Sequence, residues 1–280
     1  METFFTFLEK RVDDCSSLLC VGLDPHVSDL PSPTAASARD FCLALVKQTA
    51  PYAAAFKPNA AFFEVFGADG WTALKEVISA INDESNRFGS RIPIILDAKR
   101  GDISSTAEAY AKSAFETLGA DAITLSPYLG KDSIEPFLNY PEKGVFLLCK
   151  TSNAGSMDLQ NLLVMPMGSD SPMPLYIYVA KLAEQWNEKN NVGIVVGATH
   201  PQIMEMIRAA APGLWFLAPG VGAQGGELEL ALKSGLRKDG KGLLLSVSRA
   251  VSRAANPGHA AAEIRDQILE IREQLRRKGE

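Results

Sequence analysis

One short stretch of the sequence places acidic and basic side chains directly after an apolar run. The stretch IILDAKRGD covers residues 94–102 and contains Asp97, Lys99 and Asp102. A lysine ammonium group can donate a proton and stabilise developing negative charge. Strand residues two apart point to the same face, so Asp97 and Lys99 share a face and Asp102 follows in the adjoining loop. Arg100 points to the opposite face, and we interpret it as structural.

A second lysine, Lys57, lies in another apolar run, AAAFKPN, at 53–59. On a neighbouring strand it would reach Asp97 and complete an array of alternating Lys and Asp. Two carboxylates about 4 Å apart repel by roughly 4 kcal/mol at an effective dielectric constant of about 20, so interleaved lysines would keep both ionised. Each charge alone is explained equally well by an ordinary ion pair at a barrel rim. Four together favour function, because burying several charges is rarely favourable for stability alone.

The elements that position these residues follow from eight short apolar runs, which are typical of parallel strands buried on both faces. A segment of helical composition follows each run, and this alternation predicts an α/β fold, a (β/α)8 TIM barrel forming a single domain over residues 1–280. An extra N-terminal helix at 3–14 is expected to cover the bottom of the barrel. The runs are 18–24, 53–59, 93–99, 122–126, 145–150, 193–199, 215–221 and 243–249. The helical segments are 34–50, 70–88, 104–119, 131–140, 174–190, 200–210, 226–238 and 259–277.

Polar residues gather at the C-terminal ends of these strands, where the active sites of such barrels lie. They are Asp24, Lys57, Asn59, Asp97, Lys99, Ser126, Lys150, Thr199 and Arg249. The longest segment without periodicity, 154–174, follows the fifth strand, and loops of this length are commonly functional or mobile.

A glycine-rich turn, PGVGAQGG at 219–226, follows the seventh strand, and Arg249 ends the eighth. Barrels of this type often bind phosphate between these two loops. Glycines let backbone N–H groups approach an anion, and arginine adds a charge-assisted clamp. We therefore predict a phosphate site formed by Gly222, Gln224 and Arg249. A plain turn and a surface arginine are the alternative interpretation.

Composition excludes several classes of partner. The net charge of −5 gives no general attraction to nucleic acid, and no apolar run reaches the roughly 18 residues of a membrane helix. The four cysteines lack the spacing of a zinc site, and the N-terminus resembles no secretory signal. We expect a cytoplasmic protein with reduced cysteines, no nucleic-acid partner and no membrane partner.

The sequence resembles the orotidine 5′-phosphate decarboxylase family, in particular its longer bacterial type 2 subfamily, over nearly the whole chain. Asp97, Lys99 and Asp102 match the family's signature, which Ile103 and Thr106 continue, and Lys57 matches its second-strand lysine.

Further positions carry the same resemblance. Asp24 in GLDP matches a ribose contact, and Ser152 in KTSNAG matches a serine near the pyrimidine. Gln224 and Arg249 match phosphate ligands. The chain departs from the family at Ala154, where proline is expected.

The resemblance implies a carboxy-lyase that converts orotidine 5′-monophosphate to UMP without a metal or other cofactor, with Lys99 as the proton donor to C6. It also implies a homodimer in which Asp102, Ile103 and Thr106 act across the interface.

Two alternatives remain at this stage. One is a magnesium-dependent sugar-phosphate decarboxylase or synthase of the same superfamily, which shares the Asp, Lys, Asp signature. Lys57, the KTSN turn and the glycine-rich turn with Arg249 favour the nucleotide enzyme instead. The other is a non-catalytic barrel that binds a phosphorylated metabolite, but none of the four charged positions is missing.

Overall fold

A computed structural model describes residues 2–168, 170–220 and 225–279. Within these residues the main sheet contains eight strands, and each pairs with its neighbours in parallel. We number these strands β1 to β8: Leu19–Leu23, Ala55–Pro58, Ile95–Arg100, Ala122–Leu125, Gly144–Lys150, Val192–Val196, Phe216–Pro219 and Leu243–Val247. Their side chains are almost all buried, as the continuous apolar runs predicted.

The sheet curls into a barrel in the order β2, β1, β8, β7, β6, β5, β4, β3. Single bridges between Phe56 and Ile94 and between Asn59 and Asp97 join β2 to β3 and close the ring. The predicted (β/α)8 barrel is therefore confirmed. All eight C-terminal strand ends lie at one mouth of the barrel because the strands are parallel.

Helices fill the intervals between the strands, as the alternation predicted. The interval between β4 and β5 is the weakest match, because its helix is a single short turn, Glu135–Leu138. The helices are Phe4–Cys15, Ala35–Thr49, Ala61–Glu64, Gly67–Phe88, Ser104–Lys112, Glu135–Leu138, Ser156–Leu159, Leu175–Trp186, Pro201–Ala210, Gly225–Gly235, Arg249–Ser252 and Pro257–Gly279. Ser113–Thr117 continues one of them as a π-helical turn. Short 3-10 turns are Val27–Asp29, Pro127–Leu129 and Lys131–Ser133.

The N-terminal helix Phe4–Cys15 covers the bottom of the barrel, as expected. Phe4 and Phe5 meet the ring of Phe146 edge to face, at centroid distances of 6.1 and 5.7 Å. Phe5 also stacks on Trp215, which is buried. These aromatic contacts seal the N-terminal end, so the opposite mouth is the end left for a ligand.

The segment 154–174 contains local structure that its sequence did not predict. It forms a short helix, Ser156–Leu159, and an antiparallel ribbon in which Leu163–Val164 pairs with Met173–Pro174. Strands of two residues are too short to show a periodic pattern, which is why periodicity did not reveal them.

In the part of the chain that the structure describes, no helix is both long enough and apolar enough to cross a membrane.

Candidate active site

Two lysines and one aspartate meet at the C-terminal ends of β2 and β3. The Asp97 carboxylate accepts a hydrogen bond from Lys57 Nζ at 2.9 Å and another from Lys99 Nζ at 2.5 Å. Lys57 and Asp97 are 6% and 8% exposed, whereas the Lys99 side chain is 48% exposed. The cluster therefore pairs one buried ammonium group with one that faces the open mouth of the barrel.

Burial and charge oppose each other in this cluster. Burial by itself would raise the pKa of Asp97, but the ammonium groups of Lys57 and Lys99 outweigh it and hold that pKa below its ordinary value. Burial by itself would lower the pKa of Lys57, but Asp97 and, more weakly, Asp24 raise it above its ordinary value. Asp97 and Lys57 are thus both ionised at neutral pH.

Thr124, on β4, fixes the end of β3 beside this cluster. Its hydroxyl donates to Asp97 Oδ1 at 3.0 Å and accepts hydrogen bonds from the backbone N–H groups of Ala98 and Lys99 at 3.1 and 3.0 Å. Lys99 has a left-handed backbone with φ 47°, and the β3–β4 register shifts at this point. A non-glycine residue in this conformation costs roughly 1–2 kcal/mol, so these contacts hold a strained backbone that presents Lys99.

Arg100 leaves the cluster on the other side of the strand, as its position predicted. Its guanidinium forms an ion pair with Glu64 and lies 5.1 Å from the centroid of the Tyr110 ring. Its carbonyl accepts a hydrogen bond from Ser126 N at 2.7 Å. These contacts anchor the residue that directly follows Lys99.

Asn59 and Asp24 lie beside the cluster. Asn59 forms a backbone bridge to Asp97, and its side-chain oxygen accepts a hydrogen bond from Ala61 N at 3.2 Å. Asp24 follows β1, and its Oδ1 atom is buried with no hydrogen-bond partner among the described residues. The unpaired hydroxyl of Ser248, after β8, is likewise buried.

Ser152 follows β5 and lies near the ends of β6 and β7. A Cβ placed on Gly197 would lie 3.0 Å from Ser152 Cβ, and one placed on Gly220 would lie 3.7 Å from Ser152 Oγ. Glycine at Gly197 lets the turn that carries Ser152 pack closely. Gln160 supports this turn, because its Oε1 accepts from Thr151 N and its Nε2 donates to Thr151 Oγ1, both at 2.9 Å.

Lys150, at the end of β5, is buried and donates to Ser156 Oγ at 2.7 Å. Burial lowers the pKa of this lysine. The contact joins the strand to the short helix that follows Ser152, and Ala154, in the same turn, is exposed. No pairing of Lys150 with a carboxylate occurs among the described residues.

The predicted phosphate site is described only in part. Arg249 is exposed and begins the short helix after β8. Gly222 and Gln224 lie outside the described residues.

Among the described residues, the ion pairs of Lys57 and Lys99 are with Asp97, and none is with Asp102. Asp102 Oδ1 accepts a hydrogen bond from Ile103 N at 2.8 Å, and Ile103 and Thr106 are exposed. The structure thus shows ion pairs among three of the four expected charges, and the part of Asp102 in the array stays a prediction.

Thr124, Ser248 and Glu64 were missed by sequence reasoning. Thr124 was detectable as a polar residue inside the apolar run AITLS. Ser248 was detectable as a polar residue beside Arg249 at the end of the eighth run, whereas no local pattern marked Glu64. Among the described residues, no group of three or more His, Cys, Asp or Glu side chains could hold a metal ion.

Comparisons with known proteins agree over most of the chain. The sequence model of the Orotidine 5′-phosphate decarboxylase / HUMPS family matches residues 17–264. An orotidine 5′-phosphate decarboxylase from Roseiflexus castenholzii is 47% identical over 276 residues, covering 97% of each chain. The structure of Leishmania donovani OMP decarboxylase has a TM-score of 0.85 and 52% identity, covering 97% of this chain and 99% of that chain. Leishmania donovani UMP synthase has a TM-score of 0.87 and 54% identity, covering 97% of this chain and 57% of that chain.

Proposed function

This chain belongs to the orotidine 5′-phosphate decarboxylase / HUMPS family, and from that premise we propose that it converts orotidine 5′-monophosphate to UMP and CO₂ in pyrimidine biosynthesis. The observation that carries the proposal is the group of Lys57, Asp97 and Lys99 at the open mouth of the barrel. The family model also covers the HUMPS proteins, but the Roseiflexus castenholzii relative and the Leishmania donovani structure of 52% identity carry the decarboxylase name, which does not favour the sugar-phosphate alternative.

The reaction breaks the bond between C6 of the pyrimidine and its carboxylate. The bonding electron pair stays on C6, CO₂ leaves, and a proton must reach C6. Lys99 Nζ supplies that proton, and its positive charge stabilises the negative charge that develops on C6. The hydrogen bond from Lys99 to Asp97 orients the ammonium group before the substrate arrives. Solvent then returns a proton to Lys99.

Asp97 and Lys57 have different parts in this scheme. Asp97 positions both ammonium groups, and its low pKa keeps it ionised at neutral pH. Lys57 balances the charge of Asp97 from the buried side. A preorganised set of charges in a site shielded from water is the arrangement that stabilises transition-state charge most effectively.

The remaining site residues bind the nucleotide. Asp24 and Asn59 contact the ribose region, and Ser152 contacts the pyrimidine. Arg249, together with Gly222 and Gln224, holds the phosphate, and binding energy from this remote group helps to order the reacting centre.

The proposal includes a homodimer in which Asp102, Ile103 and Thr106 enter the partner's site. The exposure of Ile103 and Thr106 supports this role, because exposed side chains are available to a partner subunit. Mixing Lys99→Ala subunits with Asp102→Ala subunits tests it, because a mixed dimer then contains one intact site. Random exchange between two inactive proteins should restore about a quarter of wild-type activity. A mixture that stays inactive after verified exchange contradicts action across the interface.

We also propose a cytoplasmic location. The four cysteines are buried and free, which is the usual state in a reducing compartment.

The main test follows the loss of orotidylate absorbance with purified protein. Lys99→Ala should lower kcat by about 10² to 10⁴-fold, which is the usual contribution of a general acid. The matched control is Lys181→Ala, since Lys181 is exposed on the helix Leu175–Trp186 and should change kcat little. Failure of the wild-type protein to consume orotidylate, or full activity of Lys99→Ala, refutes the proposed function.

A further inference from the structure

Asp24 and Ser248 lie together at the junction of the first and last barrel strands. Val21 of β1 pairs with Val247 of β8 in parallel register. A Cβ placed on the next residue, Gly22, would lie 2.8 Å from Ser248 Cβ, 3.3 Å from Ser248 Oγ and 3.1 Å from Asp24 Oδ2. The two polar side chains therefore converge on the space above Gly22, and glycine is the residue that leaves room for both.

Each of these two side chains has a buried polar atom without a partner. Asp24 Oδ1 and Ser248 Oγ are enclosed, yet neither makes a hydrogen bond to any residue that the structure describes. Most buried polar atoms in proteins are paired, and leaving one unpaired is costly. The side-chain atoms of Asn191 are also unpaired, but they lie at the closed end of the barrel, just before β6 begins. The pair at the open end is therefore placed to bind a ligand.

The hydrogen-bonding capacities of Asp24 and Ser248 indicate which kind of ligand they would bind. A carboxylate accepts hydrogen bonds and repels an anion, so the space beside Asp24 disfavours a phosphate group. A serine hydroxyl both donates and accepts. Neighbouring hydroxyl groups, which also donate and accept, satisfy both side chains at once. The ribose of a nucleotide carries such a pair.

We propose that Ser248 Oγ is a ribose-binding group that acts with Asp24 to bind a ribose hydroxyl group of the nucleotide. This inference rests on the proposed function and adds a contact to the site, because the family resemblance supplied only Asp24 for the ribose. Ser248 would then bind the ribose and the next residue, Arg249, the phosphate. The end of β8 would thus contact two adjacent parts of one nucleotide.

Calorimetric titration of Ser248→Ala with UMP, 2′-deoxy-UMP and 3′-deoxy-UMP tests the inference. A net hydrogen bond contributes about 0.5–1.5 kcal/mol, so the Kd for UMP should rise about 2- to 12-fold. The Kd for the analogue that lacks the contacted hydroxyl should stay unchanged. Equal losses for all three ligands, or no loss for UMP, overturn the inference.

Thermal unfolding of the ligand-free protein provides a second readout. The Ser248 hydroxyl is unpaired without ligand, so Ser248→Ala should leave the Tm unchanged or raise it. Ser246→Ala is the matched control on the same strand, because the Ser246 side chain is buried and hydrogen-bonded to Cys20. The Ser246→Ala variant should have a lower Tm, because it loses this hydrogen bond, and an unchanged preference for UMP over its deoxy analogues. A lower Tm for Ser248→Ala overturns the inference by indicating a structural role.

Different experimental results would refute the Ser248 contact and the proposed function. Wild-type protein that consumes orotidylate while Ser248→Ala binds UMP normally refutes the Ser248 contact alone. Wild-type protein that neither consumes orotidylate nor binds UMP refutes the proposed function, and the Ser248 contact with it.

Discussion

Asp97→Asn should destabilise the protein by leaving a buried ammonium group without its principal counter-charge. The Lys57 and Asp97 side chains are 8% and 10% exposed, and removing one partner of such a pair costs about 3–5 kcal/mol. The Lys99 pair adds little, because the Lys99 side chain is half exposed and such pairs contribute at most about 1 kcal/mol. Asparagine keeps one acceptor oxygen, so we expect a loss of about 3 kcal/mol at pH 7.

The directions of the Asp97 and Lys57 pKa shifts determine how the stability of the protein changes with pH. The pKa of Asp97 is lowered in the folded state, so its stabilisation is present above the unfolded pKa near 3.9 and is lost as the pH falls through the lower, folded value. The pKa of Lys57 is raised, so its stabilisation is lost only as the pH rises above about 10.4. In Asp97→Asn, burial should instead place the Lys57 pKa below its unfolded value. The stability of the variant should then increase as the pH rises toward the unfolded lysine pKa of about 10.4.

Urea unfolding, followed by tryptophan fluorescence at several pH values, measures both effects. Asp40→Asn is the control, because Asp40 pairs with Arg39 at the surface with a side chain that is 64% exposed. Its free energy of unfolding should change by less than about 1 kcal/mol. The reasoning is wrong if Asp97→Asn unfolds at the wild-type urea concentration, or if its stability does not increase as the pH rises toward about 10.4.

Four further predictions concern the rest of the site and its chemistry. Gly22→Ala should lower the free energy of unfolding by about 1–3 kcal/mol, because its Cβ would lie 2.8 Å from that of Ser248; wild-type stability in urea unfolding would contradict this close packing. Glu64→Gln removes the ion pair that anchors Arg100, and steady-state kinetics should show a lower kcat with little change in the free energy of unfolding, whereas an unchanged kcat would exclude a positioning role. Arg249→Ala should lower kcat/KM for the phosphorylated substrate by at least tenfold, since a charge-assisted contact is worth about 1.5–3 kcal/mol, and should leave uridine binding unchanged; equal losses for both would exclude a phosphate contact. A chelator should leave the activity of the wild-type protein unchanged, and loss of activity that magnesium restores would support the sugar-phosphate alternative.

The sequence alone was sufficient for the barrel and for most of the lysine cluster. Strands buried on both faces of a parallel sheet are continuous apolar runs, so eight of them separated by helical segments leave little choice of architecture. The chemistry of such a barrel lies at the strand ends, where Lys57, Asp97 and Lys99 stand out against apolar neighbours. These inferences depend on local patterns of apolar and charged residues, which can be recognised in the sequence without the tertiary structure.

Only the tertiary structure decided which residues actually meet. Thr124 supports Lys99 because β4 lies beside β3. Ser248 meets Asp24 because closing the barrel places the last strand next to the first. Contacts between residues so distant in sequence depend on strand register and barrel closure, and neither property leaves a local signal in the chain.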